Sequence, residues 1–566
     1  MLKLSWERAL VGFIALGLPL TTLGACATTS GMGDYGPVAL EQQVTPEIDN
    51  SVKGGTLTIL DANKDLGFDP AKSQSLAITS AGLLHRRLTS WRIRPGQEAE
   101  VVPDLATDTG EVSADGKTWT YRLKRNLRLS DGSALTAKEI KYGLERSFAP
   151  ALSGGLGYHK SLLVGGENYR GPYEGQHLDA IEVPDDYTIV FHLNQPYGDW
   201  PWIASTPAFA PVPEAKDNPE AYSRQPISSG PYQVSSYRTG IAVELERNPY
   251  WSDDSVRLGG PDKIVFSLGN DPVVAAQKII SDQKAYASSM TAAKVPAAQL
   301  ITAAQSSNVG QRLQISTAGP LLYLAINTKR VTDVQVRRAL NYAIDKSAVN
   351  KAAGGRLAGT IATTLITPGI PGREEYQLYP APPEGDLGAA RAELAKATDL
   401  PQTPLVLMCR NSTGEVLRAE AVARSLQQLG LQVRIDPVES AVFTERATQG
   451  EGDSYDLAIS SWNPDFPSAG ANLQPLFASW ESGNGGSNLA HLEDPQIDQL
   501  ILDASATLDP ESAQKLWVKV DKAVMERAAV VPLSYQRLSY LHGSAVRNFY
   551  VGAFPAYPNY LLLGVK

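Results

Sequence analysis

Cysteine is nearly absent from this 566-residue chain, with Cys26 and Cys409 the only two. A disulfide framework is therefore excluded, and stability has to come from a buried core. Histidine is scarce as well. His85, His159, His177, His192, His491 and His542 are dispersed and never stand three or four residues apart, so the sequence carries no local metal-ligand pattern. No metal and no cofactor is expected. Catalytic signatures are missing too: there is no Cys-x-x-Cys, His-Glu-x-x-His, Gly-x-Ser-x-Gly or Walker loop, and no Gly-x-Gly-x-x-Gly that follows a strand. Ser281-Asp282-Gln283-Lys284 matches the Ser-x-x-Lys of penicillin-binding enzymes, but the Lys-Thr-Gly and Ser-Asp-Asn that accompany it are absent. Excess positive charge is lacking: a formal charge of −9 argues against a nucleic-acid partner, whose phosphates need a basic face. There is no repeat, heptad run or second long hydrophobic span. The chain does have 43% hydrophobic and 20% charged residues, enough for a large core and, by length, roughly two to four domains.

The N-terminus is the most informative stretch on chemical grounds. Lys3 and Arg8 precede an apolar run, Ala9 to Leu20, that is too short to span a bilayer and has the form of an export signal. It ends in Leu23-Gly24-Ala25-Cys26, which resembles a bacterial lipobox. The expectation is a signal peptide over 1–25, removed so that Cys26 becomes a lipidated N-terminus on the outer face of the cytoplasmic membrane. The alternative is a plain secretory signal with a chance cysteine. Residues 26–52, rich in Gly, Thr, Ser and Pro, read as a flexible tether. Cys409 then has no partner and is expected to be a small buried residue.

From Lys53 onward strands alternate with helices. Thr56 to Leu60 and Trp119 to Leu123 read as strands entered from glycine turns. Thr136 and Glu139 have capping-box spacing for a helix. Val336, Ala339, Leu340, Ala343 and Ile344 recur at helical spacing. Glu415 to Leu429 reads as a helix stopped at Gly430 and followed by a strand, the signature of an α/β unit.

Several stretches resemble, in order, the motifs of the large extracytoplasmic solute-binding proteins of bacterial ABC importers, the family of the oligopeptide and dipeptide binders. They are Phe68-Asp69-Pro70, Pro103-Asp104-Leu105-Ala106, the run Ser130 to Glu139 with Leu144-Glu145-Arg146, Ser229-Gly230-Pro231-Tyr232 and Glu246 to Trp251. Asn327-Thr328, Val336 to Leu340 with Tyr342 to Asp345, and Trp462-x-x-Asp465 complete the set. The resemblance covers about residues 53–566. It implies an α/β, three-lobed periplasmic-binding-protein-like fold of class II with an extra domain and a hinged ligand cleft. Domain I would comprise 53–80, 205–318 and 528–566, domain II 81–204 and domain III 319–527. It also implies a monomer that binds a peptide and works with ABC permease and ATPase subunits, and no enzyme.

In this family the peptide backbone pairs like a strand and its ammonium meets an aspartate. The motif places Asp465 at that aspartate, Ser461 and Asn463 where main chain meets ligand, and Trp462 in the wall. Read from the residues alone, Asp465 could equally cap the Pro-bounded turn. Tyr323, Asn327, Tyr535 and Gln536 are further wall candidates, with core packing as the alternative for the aromatic ones, and Ser75 is a candidate on lobe I's edge. Two positions depart from the enteric oligopeptide binders: Ile459 stands where a basic residue helps anchor the ligand carboxylate, and Ser440 stands where a pocket tryptophan is common. Arg410 or Arg446 could replace that basic residue, but sequence places neither in the cleft. Other ligands of the same fold remain open, among them an amino acid such as arginine, a signalling or specialised-metabolite peptide, haem, nickel or a sugar. An extracytoplasmic hydrolase using a noncontiguous site is the alternative of another class, and turnover dependent on Ser281 and Lys284 would favour it.

Overall fold

The computed structural model describes residues 47–72, 78–152, 154–252, 256–450, 452–483 and 485–566. Cys26 and Ser75 lie outside the described residues. Three sheets organise the body. A five-stranded sheet has the order Ser289–Thr291, Thr56–Leu60, Lys263–Ser267, Ala242–Arg247, Tyr232–Arg238. A four-stranded antiparallel sheet is built from Glu111–Val112, Thr118–Arg122, Thr188–His192 and Ile181–Asp185. The six-stranded sheet has the order Gly359–Ile361, Val530–Gln536, Leu321–Ile326, Leu457–Trp462, Leu405–Arg410, Val433–Val438. By sheet membership, then, the C-terminal return toward the first sheet begins after Gln536 rather than at 528.

Local chemistry explains the elements. Thr136 and Glu139 form the expected capping box at the start of Ala137–Arg146, with the Thr136 N–H donating to Glu139 at 2.8 Å. The helix Thr413–Gln428 ends at Leu429, and Gly430 takes a left-handed φ of 94° before the chain turns into Val433–Val438. Val334–Ala343 buries the predicted apolar face, with Val336, Ala339 and Leu340 fully enclosed.

The sequence motifs turn out to be fasteners. Asp69 receives a bidentate pair from Arg146 at 2.6 and 3.0 Å, and Arg146 also meets Asp217 at 3.0 Å. Asp104 sits between Arg86 and Arg257, each at 2.7 Å, all three side chains nearly inaccessible. These arginines hold the Asp104 carboxyl far below its usual range against the opposing effect of burial. Ser229 accepts from the Arg86 N–H at 2.8 Å, and Asn248 donates to the Gly230 carbonyl at 2.9 Å.

Two segments carry the chain between the five- and six-stranded sheets. Leu313–Ile315 pairs with Ser539–Leu541, and further along Gly319 donates to the Gln536 carbonyl and Gln536 to the Pro320 carbonyl at 2.9 and 2.7 Å. Gly319 is required here: a Cβ would lie 2.1 Å from the Ala553 carbonyl oxygen.

Strand alternation divides the six-stranded sheet into two faces. Leu322, Leu324, Ile326, Leu407, Cys409, Leu457 and Ile459 belong to a core shared with the helices Val334–Ala343 and Thr413–Gln428. Leu321, Tyr323, Ala325, Met408 and Ala458 face the other way, into a core shared with the 88–209 stretch and the segments around 466–525. Cys409 is fully enclosed, as expected, and burial pushes its thiol up to about 11. Among the described residues no helix is long and apolar enough to cross a membrane.

Candidate functional site

Strand Leu457–Trp462 pairs along its whole length with Leu321–Ile326. On its other side it pairs with Leu405–Arg410 only at Leu407–Leu457 and Met408–Ala458. Leu405–Arg410 meanwhile follows Val433–Val438 to its end, Arg410 opposite Val438. The two strands therefore diverge, leaving one edge of Ile459–Trp462 without a partner strand among the described residues. An unpaired edge presents main-chain donors and acceptors at strand spacing, a template for an extended peptide.

At the end of that edge the chain turns through Pro464 and Asp465. Asp465 is half-buried and accepts a hydrogen bond from the Tyr158 hydroxyl at 2.7 Å. Tyr158 comes from the helix Tyr158–Leu162, some 300 residues away, and its ring packs edge-on against the fully buried Phe466 with centroids 5.2 Å apart. Burial pushes the Asp465 carboxyl above its ordinary value, opposed by the Tyr158 bond. Trp462 is held by its indole N–H, which donates to the Ala471 carbonyl at 2.8 Å. Ser461 and Asn463 are exposed.

Two more carboxylates stand nearby. Asp199 takes a hydrogen bond from Ser468 and is pushed up to about 6 by burial. Burial likewise raises Glu481. Tyr197 lies near both, and Tyr158 lies near both Asp465 and Glu481; burial and these negative charges raise the two phenols. Among the described residues none of the three carboxylates has a basic partner at ion-pair distance. A half-buried group of acids without a counter-charge favours a cation by electrostatics alone.

The other candidates are placed differently. Tyr323 is buried and its hydroxyl meets Ser460. Asn327 is fully enclosed, and its amide donates to the Gly452 and Tyr455 carbonyls and accepts from the Lys329 N–H, so it fastens a turn and has no free group for a ligand. Tyr535 is a core residue whose hydroxyl is engaged by Thr364 at 2.7 Å and by the Thr364 N–H at 2.9 Å. Gln536 is half-buried at the crossing between sheets. Ser281 donates to the Lys278 carbonyl at 2.7 Å, while Lys284 is exposed, so the Ser-x-x-Lys pair is not assembled. Among the described residues no group of three or more His, Cys, Asp or Glu stands close enough to hold a metal ion. Ile459 is fully buried on the helix-side face, so in this chain position 459 points away from the face that carries Trp462.

Sequence reading missed Tyr158, Tyr197, Asp199 and Glu481. The one signal available was Asp199 itself, an acid set among aromatic residues in Tyr197-Gly198-Asp199-Trp200-Pro201-Trp202.

An α/β body with an open strand edge that ends at a carboxylate lacking a basic partner among the described residues fits the class of solute-binding proteins. Residues 100–484 match the family model of bacterial extracellular solute-binding proteins, family 5, and the chain belongs to that family. It is 26% identical over 468 residues to the probable D,D-dipeptide-binding periplasmic protein DdpA of Escherichia coli (strain K12), covering 80% of this chain and 82% of that one. It is 22% identical over 484 residues to the periplasmic oligopeptide-binding protein OppA of Haemophilus influenzae, with 82% and 85% covered. The solved structure titled clavulanic acid biosynthesis oligopeptide binding protein 2 superposes with a TM-score of 0.85 at 32% identity, over 92% of this chain and 97% of that one.

Proposed function

We propose that this protein captures short peptides, or small amine-bearing ligands, outside the cytoplasmic membrane and delivers them to an ABC permease. In this reading the ligand lies extended along the open edge of Leu457–Trp462, and Asp465 receives its ammonium while Tyr158 keeps the carboxylate oriented. The observation that carries it is the Asp465 carboxylate, half-buried and without a basic partner among the described residues at the end of an unpaired strand edge. A carboxylate–ammonium bond in such a site is about twice as strong as a neutral hydrogen bond. The names of the relatives, a dipeptide binder and oligopeptide binders, point the same way. The proposed lobes are those expected from sequence, with domain III extended to include Val530–Gln536. Cys26 would carry the lipid anchor. Asp199 and Glu481 favour a second reading of the same site, a ligand with an additional cationic group such as arginine or a basic peptide.

The deciding experiment is mass spectrometry of the ligand retained on the purified protein, followed by calorimetric titration with it and its N-acetylated form. A retained compound lacking a basic nitrogen would overturn the proposal.

A further inference from the structure

The crossing between the five- and six-stranded sheets encloses a cavity of about 370 Å³ that the peptide site does not use. Its walls come from stretches remote in sequence: the 93–99 turn that joins Thr89–Arg92 to Glu100–Pro103, the two crossing segments at 314–317 and 537, Gly369, and the C-terminal return at 550–554. None of the residues placed around Asp465 lines it. The lining takes Arg537 and leaves out its neighbour Gln536, the candidate for the peptide wall. Consecutive side chains along a strand point to opposite sides, so this cavity lies across the crossing from the side that Gln536 faces.

Two arginines stand in its walls without a counter-charge. Arg94 is half-buried, and among the described residues its side chain makes no ion pair and donates no hydrogen bond. Arg537 is half-buried too. Its Nη1 donates to the Arg356 carbonyl at 2.9 Å, while its Nε–H is enclosed and meets no acceptor among the described residues. Burial, and then the charge of Arg356, press the Arg537 pKa down, as expected of a buried cation short of an anion. Glu98, the one acid in the lining, is exposed and pairs with neither arginine. An enclosed donor that no acceptor meets is uncommon in a native fold and calls for a partner.

Ser316 adds a third donor. It is 2% exposed, and its Oγ accepts from the Leu538 N–H at 2.9 Å, which fastens the crossing and leaves the hydroxyl proton without an acceptor among the described residues. Arginine can only donate, and the acceptor face of Ser316 is taken, so these groups together favour an anion. The wall between them is apolar, with Ile93, Ile315, Val551 and Phe554 all buried. The volume stands near the lower end of the range for ligand pockets, roughly 300–1,000 Å³.

We infer that this cavity is a second binding site, for a small organic anion whose charge is shared by Arg94 and Arg537 and whose apolar body lies against Phe554. An occupant touches the 93–99 turn, both crossing segments and the C-terminal return at once, so it stabilises the folded chain as its concentration rises. The inference goes beyond peptide capture and stands without the role given to Asp465.

Benzoate serves as the probe, beside benzamide, which has the same shape without the charge, and inorganic phosphate, which has the charge without the apolar body, all at equal ionic strength. Calorimetric titrations and thermal melts are run on the wild type, Arg94→Gln, Arg537→Gln and Asp465→Asn. Benzoate is expected to bind the wild type saturably and raise its Tm, with benzamide and phosphate weaker by roughly tenfold or more. Each arginine variant is expected to lose a similar factor for benzoate, and Asp465→Asn to bind it as the wild type does. Absence of saturable benzoate binding, or equal binding of benzamide, would overturn the inference. Phosphate binding as tightly as benzoate would overturn the role of the apolar wall and the ligand class with it. A benzoate affinity unchanged in both arginine variants, or altered in Asp465→Asn, would place the anion outside this cavity and overturn the site. Where Arg537→Gln fails to fold, Arg94→Gln in its turn and the three probes on the wild type still decide.

Discussion

Replacing Asp465 by asparagine keeps the shape of the side chain and removes its charge. One carboxylate oxygen, Oδ2, accepts from Tyr158 at 2.7 Å, and the other is available to an ammonium. Asparagine can still accept from Tyr158 through its carbonyl, but its NH₂ then turns two donors toward the ligand's own N–H groups. Removing one partner of a buried charge pair costs about 2–5 kcal/mol. Asp465 is only half-buried, so water screens part of the field and the lower half applies: about 2–3 kcal/mol, or roughly a 30- to 150-fold rise in Kd. The empty protein should not be destabilised, because burial already disfavours the charge that the substitution removes. Loss of affinity without loss of Tm separates this outcome from misfolding. The pH dependence has a definite sign. An ammonium favours the ionised carboxylate, so affinity falls as pH drops through the raised Asp465 pKa, and binding in that window releases a proton that Asp465→Asn does not release. Titration calorimetry in buffers of different ionisation enthalpy measures both quantities. An affinity within threefold of wild type, or a wild type indifferent to N-acetylation, would refute the reasoning.

Four further outcomes follow from the packing. Asp104→Asn removes the buried carboxylate that Arg86 and Arg257 share, and chemical denaturation should show a loss of about 3–5 kcal/mol; a loss under 1 kcal/mol would mean the network is not stabilising. Asp199 titrates at about 6 in the folded chain, above its unfolded value, so it favours folding below pH 4 and progressively less as pH rises to 6. Asp199→Asn should therefore raise Tm at pH 7, by up to about 3 kcal/mol in stability, and flatten the pH 4–6 slope; the same Tm difference at pH 4 and pH 7 would contradict it. Gly319→Ala drives a methyl into the Ala553 carbonyl and should lower stability by about 1–3 kcal/mol in thermal melts. Cys409 should resist a thiol reagent under native conditions and react in step with global unfolding; labelling faster than unfolding would show that the sheet opens locally.

Much of the framework could be read in the chain because its determinants are short-range. The capping box at Thr136 needs only a spacing of three, and the stop at Gly430 needs only its left-handed φ. The motifs around Asp69, Asp104 and Asn248 were recognisable for a related reason: each side chain fastens backbone through a buried hydrogen bond, to the Ala71 N–H, the Arg87 N–H and the Gly230 carbonyl respectively. The site was harder to read because its parts are remote. Tyr158 meets Asp465 across about 300 residues, and nothing local to either announces the other. Asn327 shows the converse, a motif residue whose amide closes a turn. Ile459 shows the effect of parity: one residue's shift along a strand moves a side chain to the opposite face, so a motif offset alone does not say which side chains share a pocket.

The two-faced strand Leu457–Trp462 also divides the labour between heredity and adaptation. Leu457 and Ile459 lock the sheet to its helices, while Trp462, Asn463 and Asp465 stand where its open edge ends. A lineage can rewrite the second set without disturbing the first, so the specificity of such a receptor can drift quickly on a scaffold that hardly changes. A combinatorial library confined to 462, 463 and 465 would sample that drift in the laboratory, with most of its members expected to fold.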